Sequence, residues 1–479
     1  MRLVIRLLVA ALLLALLPSH CVWAQQRAAT VSGHAPQYAN ETLTFKHTTD
    51  YIVGLEREVA TAKVDKDGNF TCELDLLGTH LVTIELGVYL CYLYVEPGKH
   101  YQIGLPPRHD KSEADRLDPF FEPAEFQLRN LAGDSTSVNA RIARFNALYA
   151  SLLDSALNTP DSLRRALRVD SMAARLAAFD TLSRPPYLAH YQRYRHGLFL
   201  RFASRQKSLA ASDTYFRNQP ILYENPAYMD LLNVVYDRYF VFQSRAEHGR
   251  KIFEAITKKR SYKALRKALL VNDNVGDGDL LELIILKGLH DEFFSDNFSR
   301  KALTQILDSV LHTTRVPEHA VIATNIRDKV TKLMPGFMPH PIALEDQDGK
   351  IVSPEQFRGK LVLLGFCTTT SYTCLQDFAV LERLHKQYGE HLQILMISAD
   401  ATAERVREFT RQTSYPWPFL FYGRQPELIR EFDVRAYPTY YLLDTDGKLL
   451  YSPAPSPQET LDRLLYSLYR KRGWPVKNL

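Results

Sequence analysis

Residues Leu361 to Phe366 form an apolar run that leads directly into Cys367-Thr368-Thr369-Thr370-Ser371-Tyr372-Thr373-Cys374. A short run without polar interruption reads as a strand buried on both faces, and such strands sit in parallel sheets covered by helices. A helical pattern from about Ser371 to Tyr388 supplies the first cover. A second strand, Leu392 to Ser398, and a second helix, Glu404 to Gln412, continue the alternation. Tyr440 to Leu443 and Lys448 to Tyr451 flank Asp446-Gly447 as a hairpin, and Glu459 to Arg472 closes as a helix. This order predicts an α/β domain over residues 336–479.

The rest of the chain follows other patterns. Over residues 28–107, Thr42 to Phe45, Phe70 to Leu76, Leu81 to Glu85 and Leu90 to Val95 are strand-like, with turn signals at Asp65-Lys66-Asp67-Gly68 and Glu96-Pro97-Gly98. A small antiparallel β-sandwich is expected there. Asp346 to Gly349 and Asp444 to Gly447 repeat the Asp-x-Asp-Gly pattern. The remaining ligands of a calcium loop are missing, so all three read as turns. Residues 118–333 read as an all-α domain. Tyr187, Tyr191 and Tyr194 share a helical face, as do Leu281, Ile284, Ile285 and Leu289, while Asn225-Pro226 starts a helix. The tyrosine stripe, continued by Tyr228, Tyr236 and Tyr239, is read as core rather than a stacking platform. Nine Lys or Arg between Arg245 and Lys267 are read as a solvated helix face.

The N-terminus sets the compartment. Arg2 and Arg6 precede a Leu- and Ala-rich run from Leu7 to Leu17, too short to span a bilayer, and Ala24 offers a cleavage position. Residues 1–24 are therefore expected to be a signal peptide, and the protein periplasmic or exported. A lipid anchor through Cys21 is the alternative. Cys72, Cys91, Cys367 and Cys374 then remain, too few for a disulfide-built scaffold. If the strands carrying Cys72 and Cys91 pair, an oxidising compartment would allow a bridge between them. A net charge of +5 over 479 residues gives no reason to expect nucleic acid.

The strand–helix junction from Gly365 to Cys374 resembles the active-site segment of TlpA-like periplasmic thioredoxins, in which Cys-x-x-Cys opens a helix. Gly336 with Pro339, the Asp348-Gly349 turn, Gly359-Lys360 and Tyr437-Pro438-Thr439 fit the same family. The resemblance implies a thioredoxin-like fold, thiol-disulfide oxidoreductase ancestry and a cis-proline loop at Pro438. It also implies protein partners or exported thiol proteins as partners, and no cofactor. Accessory regions like the first two blocks precede thioredoxin domains in some Gram-negative bacteria. Ser371 falls on the first cysteine of the motif, Cys374 on the second and Cys367 on a tryptophan.

The candidate site residues are thus Cys374, Ser371 and Pro438, with Cys367 a weaker one. A serine hydroxyl does not ionise usefully at neutral pH, so it does not start exchange, whereas a thiol at a helix start does. Gly365 stands where thioredoxins often carry a buried acid. The expected function is a binding or scaffold module without dithiol exchange. The alternative is thiol chemistry at Cys374, as exchange or as a peroxidase. Ser371-x-x-Cys374 fits the peroxiredoxin spacing, Cys367 replaces its proline, and Arg435 or Arg424 would have to approach the thiolate. From its place in the first helical turn, Cys374 is expected to be a more reactive thiol than Cys72 or Cys91.

Overall fold

The computed structural model describes residues 28–477 except 119–120, 134, 159–161, 181–183, 205–207, 246–248, 271–274, 296 and 424. The signal-like segment, with Cys21 and Ala24, and Arg424 lie outside the described residues.

The first strands are β1 (Ala29–His34), β2 (Thr42–Asp50), β3 (Leu55–Lys63), β4 (Asn69–Leu74), β5 (His80–Leu86), β6 (Tyr89–Val95) and β7 (His100–Ile103). They form two sheets, β4-β1-β7 and β3-β2-β5-β6-β8, where β8 is Ala124–Gln127. The sheets share a core containing Val31, Phe45, Cys72, Val82, Cys91 and Tyr101. Two details differ from the sequence reading. The β1–β7 and β6–β8 pairs are parallel, so the arrangement is mixed rather than wholly antiparallel. Strand β8 also falls inside the segment expected to be all helical. Its burial pattern is mostly exposed, so it carries no alternation to read. The Asp-Gly segments are turns: Gly68, Gly349 and Gly447 each donate to the carbonyl three residues back, at 3.0, 3.1 and 2.9 Å. All three have positive φ, which glycine adopts without a Cβ clash.

The helical block includes the helices Val138–Leu157, Pro186–Ala203, Pro226–Val235, Asp279–Phe293, Arg300–Thr313 and Pro317–Thr331. Asn225 caps the third of these by accepting from Tyr228 N–H at 3.2 Å. The tyrosine stripe is core. Tyr191, Tyr194, Tyr228 and Tyr236 are buried, and the hydroxyls of Tyr191, Tyr194 and Tyr236 meet Asn146, the Tyr215 carbonyl and Ser212. Ile52, Val53 and Tyr94 from the sheets join the same apolar cluster. Polar contacts reinforce this seam. Asn139 bonds both the N–H and the carbonyl of Tyr94, at 2.8 and 2.6 Å. Asn233 donates to Tyr51 O at 3.0 Å and Lys329 to Val53 O at 2.6 Å. No described helix is long and apolar enough to cross a membrane.

A two-residue ladder, β9 (Leu344–Glu345) with β10 (Ile351–Val352), precedes the last sheet. That sheet comprises β11 (Leu361–Cys367), β12 (Leu392–Ser398), β13 (Phe419–Phe421), β14 (Thr439–Leu443) and β15 (Leu449–Ala454), in the order β13-β12-β11-β14-β15. Strands β11, β12 and β13 are parallel, β14 runs antiparallel to β11, and β15 antiparallel to β14. Strand β11 is buried at all 7 positions. Leu361, Leu363 and Cys367 pack with the helices Tyr372–Tyr388 and Leu461–Arg472. Val362, Leu364 and Phe366 face the opposite cluster, with Leu428 and Phe432. The C-terminal region is therefore a thioredoxin-like α/β fold in a chain that also carries further sheets and many helices.

One buried polar cluster holds the helical block together. Glu282 accepts from Tyr262 at 2.6 Å and from Thr314, and pairs with His319 Nδ1 at 2.8 Å. Burial alone would raise its pKa. The hydrogen bonds from His319, Thr314 and Tyr262 outweigh burial and bring it down to about 2. A carboxyl depressed in the fold stabilises above its unfolded pKa of about 4.3, and that contribution fades as pH falls toward 2. Glu282→Gln should therefore cost about 2 kcal/mol at pH 7 and flatten the acid limb of the stability curve below pH 4. Urea unfolding of both proteins across that range checks it. Parallel limbs would contradict the assignment.

Candidate functional site

At the carboxyl end of β11 the chain turns through Thr368 to Thr370, and Ser371 caps the helix Tyr372–Tyr388. Open α/β sheets gather functional groups at this end, and a helix start adds amides without intrahelical partners. Ser371 Oγ accepts from Cys374 N–H at 3.5 Å and lies 2.8 Å from Thr373 Oγ1. Thr373 donates to the Tyr437 carbonyl at 3.4 Å. These bonds link Ser371, Thr373 and the Pro438 loop in one strip, where the Tyr437-Pro438 peptide is cis. Tyr372 and Leu375 lie exposed beside it.

Cys374 is fully buried and shares an apolar cluster with Cys367, Phe378 and Tyr440. Burial pushes its thiol up. The Ser371 hydroxyl and the Thr368 backbone pull it down, and Asp377 and Asp400 push it up again. Cys367 is driven well above the ordinary thiol range by burial first, then by Cys374 and Asp400. Desolvation thus works against the helix start, because the side chain faces the core. Arg435, a candidate for activating the thiol, pairs with Asp433 at 3.0 Å.

All four described cysteines are free thiols. Cys72 and Cys91 do not lie on paired strands. Cys72 is on β4 and Cys91 on β6, in different sheets, each opposite another residue: Val31 and Ile84. Burial raises these thiols to about 11 and about 12.

Two residues not singled out from sequence, Asp377 and Asp400, complete the site. Asp377, buried one helical turn beyond Cys374, accepts from Tyr440 at 3.0 Å and from Gln458 at 2.9 Å. Burial raises its pKa, and these two hydrogen bonds oppose the rise. Asp400, just past β12, accepts from the Thr369 N–H and hydroxyl, both at 3.0 Å, and from Ser398. A Cβ at Gly365 would meet the Met396 thioether at 2.6 Å and the Tyr440 ring at 2.8 Å, so a larger side chain there needs both to shift. The signals were present in the sequence. Asp377 is three residues from Cys374, hence on the same helical face, and Asp400 follows a strand end.

Residues 293–465 match the family described as Redoxin. The chain is 28% identical over 123 residues to the thiol-disulfide oxidoreductase ResA of Bacillus thuringiensis, which covers 26% of this chain and 68% of the relative. It is 28% identical over 122 residues to the thioredoxin-like protein YneN of Bacillus subtilis, covering 25% and 71%. Among solved structures, a thiol-disulfide oxidoreductase from Bacteroides fragilis aligns with 25% identity over 27% of this chain and 97% of that one, at a TM-score of 0.25. The thioredoxin domain of a thiol-disulfide oxidoreductase from Bacteroides vulgatus aligns with 19% identity over 28% and 99%, at 0.26. The C-terminal region is thus thioredoxin-like and related to thiol-disulfide oxidoreductases.

Buried and flanked by acids, Cys374 should alkylate slowly in the native protein at pH 7 and rapidly once unfolded in guanidinium. Peptide mapping after iodoacetamide treatment across pH checks this. A native Cys374 titrating below about 8.5, the unperturbed value, would contradict the burial argument.

Proposed function

We propose that this chain is an exported relative of the thiol-disulfide oxidoreductases that no longer performs dithiol exchange and uses its thioredoxin-like surface to bind polypeptide. The observation that carries this reading is the pairing of Ser371 at the helix start with a buried thiol behind it. Exchange begins when a thiolate attacks a disulfide sulfur and displaces the partner thiolate. Ser371 meets the Thr373 hydroxyl and the Cys374 amide, neither of which is a base able to ionise it. The signal-like N-terminus supports a periplasmic or exported location, with a lipid anchor through Cys21 as the alternative.

The surface retains features suited to holding an extended segment. A cleft of about 1340 Å³ runs from Pro438 and Thr439 to Phe293, Phe294 and Lys329. Tyr372 and Leu375 present apolar area beside the Pro438 loop. A peroxidase reading draws support from the Ser371-x-x-Cys374 spacing, and the burial of Cys374 weighs against it.

Insulin reduction by the full mature chain tests the proposal. Wild type should turn over at background, and Ser371→Cys should exceed it by at least about tenfold, because a thiol then stands at the helix start with Cys374 positioned to resolve the mixed disulfide. Wild-type turnover equal to that of S371C would overturn it.

A further inference from the structure

Among the described residues, one group of His, Cys, Asp or Glu side chains has the geometry of a metal set: His47, His80 and Glu224. His47 comes from β2 and His80 from β5, which pair antiparallel with His47 opposite Val82. Glu224 comes from the segment just ahead of the helix Pro226–Val235. One nitrogen from each imidazole and one carboxylate oxygen all lie within 4.8 Å of one another. His80 Nδ1 and Glu224 Oε2 are 3.1 Å apart. Two ligands bound at about 2.0–2.1 Å to a tetrahedral ion stand at roughly this spacing.

The second observation is an orphan. His47 Nδ1 is buried and has no hydrogen-bond partner among the described residues. A buried polar atom left unpaired is costly, and a bound ion would supply its partner. The His80 side chain is almost wholly buried, whereas that of Glu224 is 54% exposed and has room to swing inward. Glu224 also lines a cavity of about 320 Å³ with Tyr187, His190 and Tyr223.

We propose that His47, His80 and Glu224 form a binding site for a divalent transition-metal ion of the zinc class, with water at the remaining position. Two imidazoles and one carboxylate are the ligand chemistry such ions take, while magnesium and calcium favour oxygen sets. Because two ligands come from a sheet and the third from the helical block, the bound ion ties the two together. The role is structural, since the site adjoins none of the thioredoxin-site residues.

The test uses the full mature chain, stripped with chelator and titrated with Co²⁺ as a spectroscopic probe and Zn²⁺ by calorimetry. Wild type should bind one ion per chain, show the visible d–d bands of a four- or five-coordinate Co²⁺ site, and melt at higher temperature with Zn²⁺. His47→Gln and Glu224→Gln should each weaken binding by at least about tenfold, the loss that even an outer-sphere partner causes. His34→Gln, at an exposed histidine bonded to Asn69, should leave binding unchanged. Circular dichroism of each variant confirms folding, and Glu224→Gln, at an exposed side chain, serves if His47→Gln does not fold. Absence of Co²⁺ bands in folded wild type, or binding undiminished in folded E224Q, would overturn the site and leave His80–Glu224 a plain ion pair.

Discussion

The C-terminal region depends on one strand that has no solvent face. Every residue of β11 is buried, so the chain must place helices on both sides of it and parallel neighbours along it. Alternation then assigns the side chains: odd-numbered residues to the cluster under Tyr372–Tyr388, even-numbered ones to the cluster with Phe432. Cys367, the last odd residue, is therefore drawn into the same apolar cluster as Cys374. Whatever chemistry the junction performs is performed against a dry interior.

That interior decides the electrostatics. A helix end favours a nearby anion by about 0.3–1 kcal/mol at an exposed position. Full burial of an ionisable group shifts its pKa by up to 3–5 units, and each unit is 1.36 kcal/mol. The two act on Cys374 in opposite directions, and desolvation is the larger. Asp377 and Asp400 add to the same side. Position 371 escapes this balance, because the cap lies outside the apolar cluster. The exposed helix start and the buried second thiol thus live under different electrostatic regimes within one turn.

Much of this was legible from the residues. The apolar run of β11, the helix start near Ser371 and the hairpin around Asp446-Gly447 each carry a local signal, and each stands where that signal put it. Strand β3 was not legible because it is a sheet edge whose side chains mostly face water, so its sequence shows little alternation. Strand β13 is three residues long, too short for any period. The Cys72 and Cys91 strands looked adjacent because they are close in sequence, whereas β5 intervenes and β4 pairs instead with β1. Asp377 was readable from helical spacing, but the crowding around Gly365 needed the packing of Met396 and Tyr440. The His47, His80 and Glu224 group is assembled by strand register and a distant loop, which no local pattern encodes.

The seam between the first sheets and the helices is made in a particular way. Asn139, Asn233 and Lys329 reach for main-chain atoms of Tyr94, Tyr51 and Val53 rather than for side chains. Main-chain atoms are the same whatever residue supplies them. On the sheet side, the polar part of this joint is therefore blind to mutation, and only the apolar bulk of those residues is under constraint. On the helical side the opposite holds, since no shorter or apolar side chain replaces the paired donor and acceptor of Asn139. Divergence at this boundary should be lopsided, with the sheet residues free to vary in all but apolar bulk against helix positions that stay fixed.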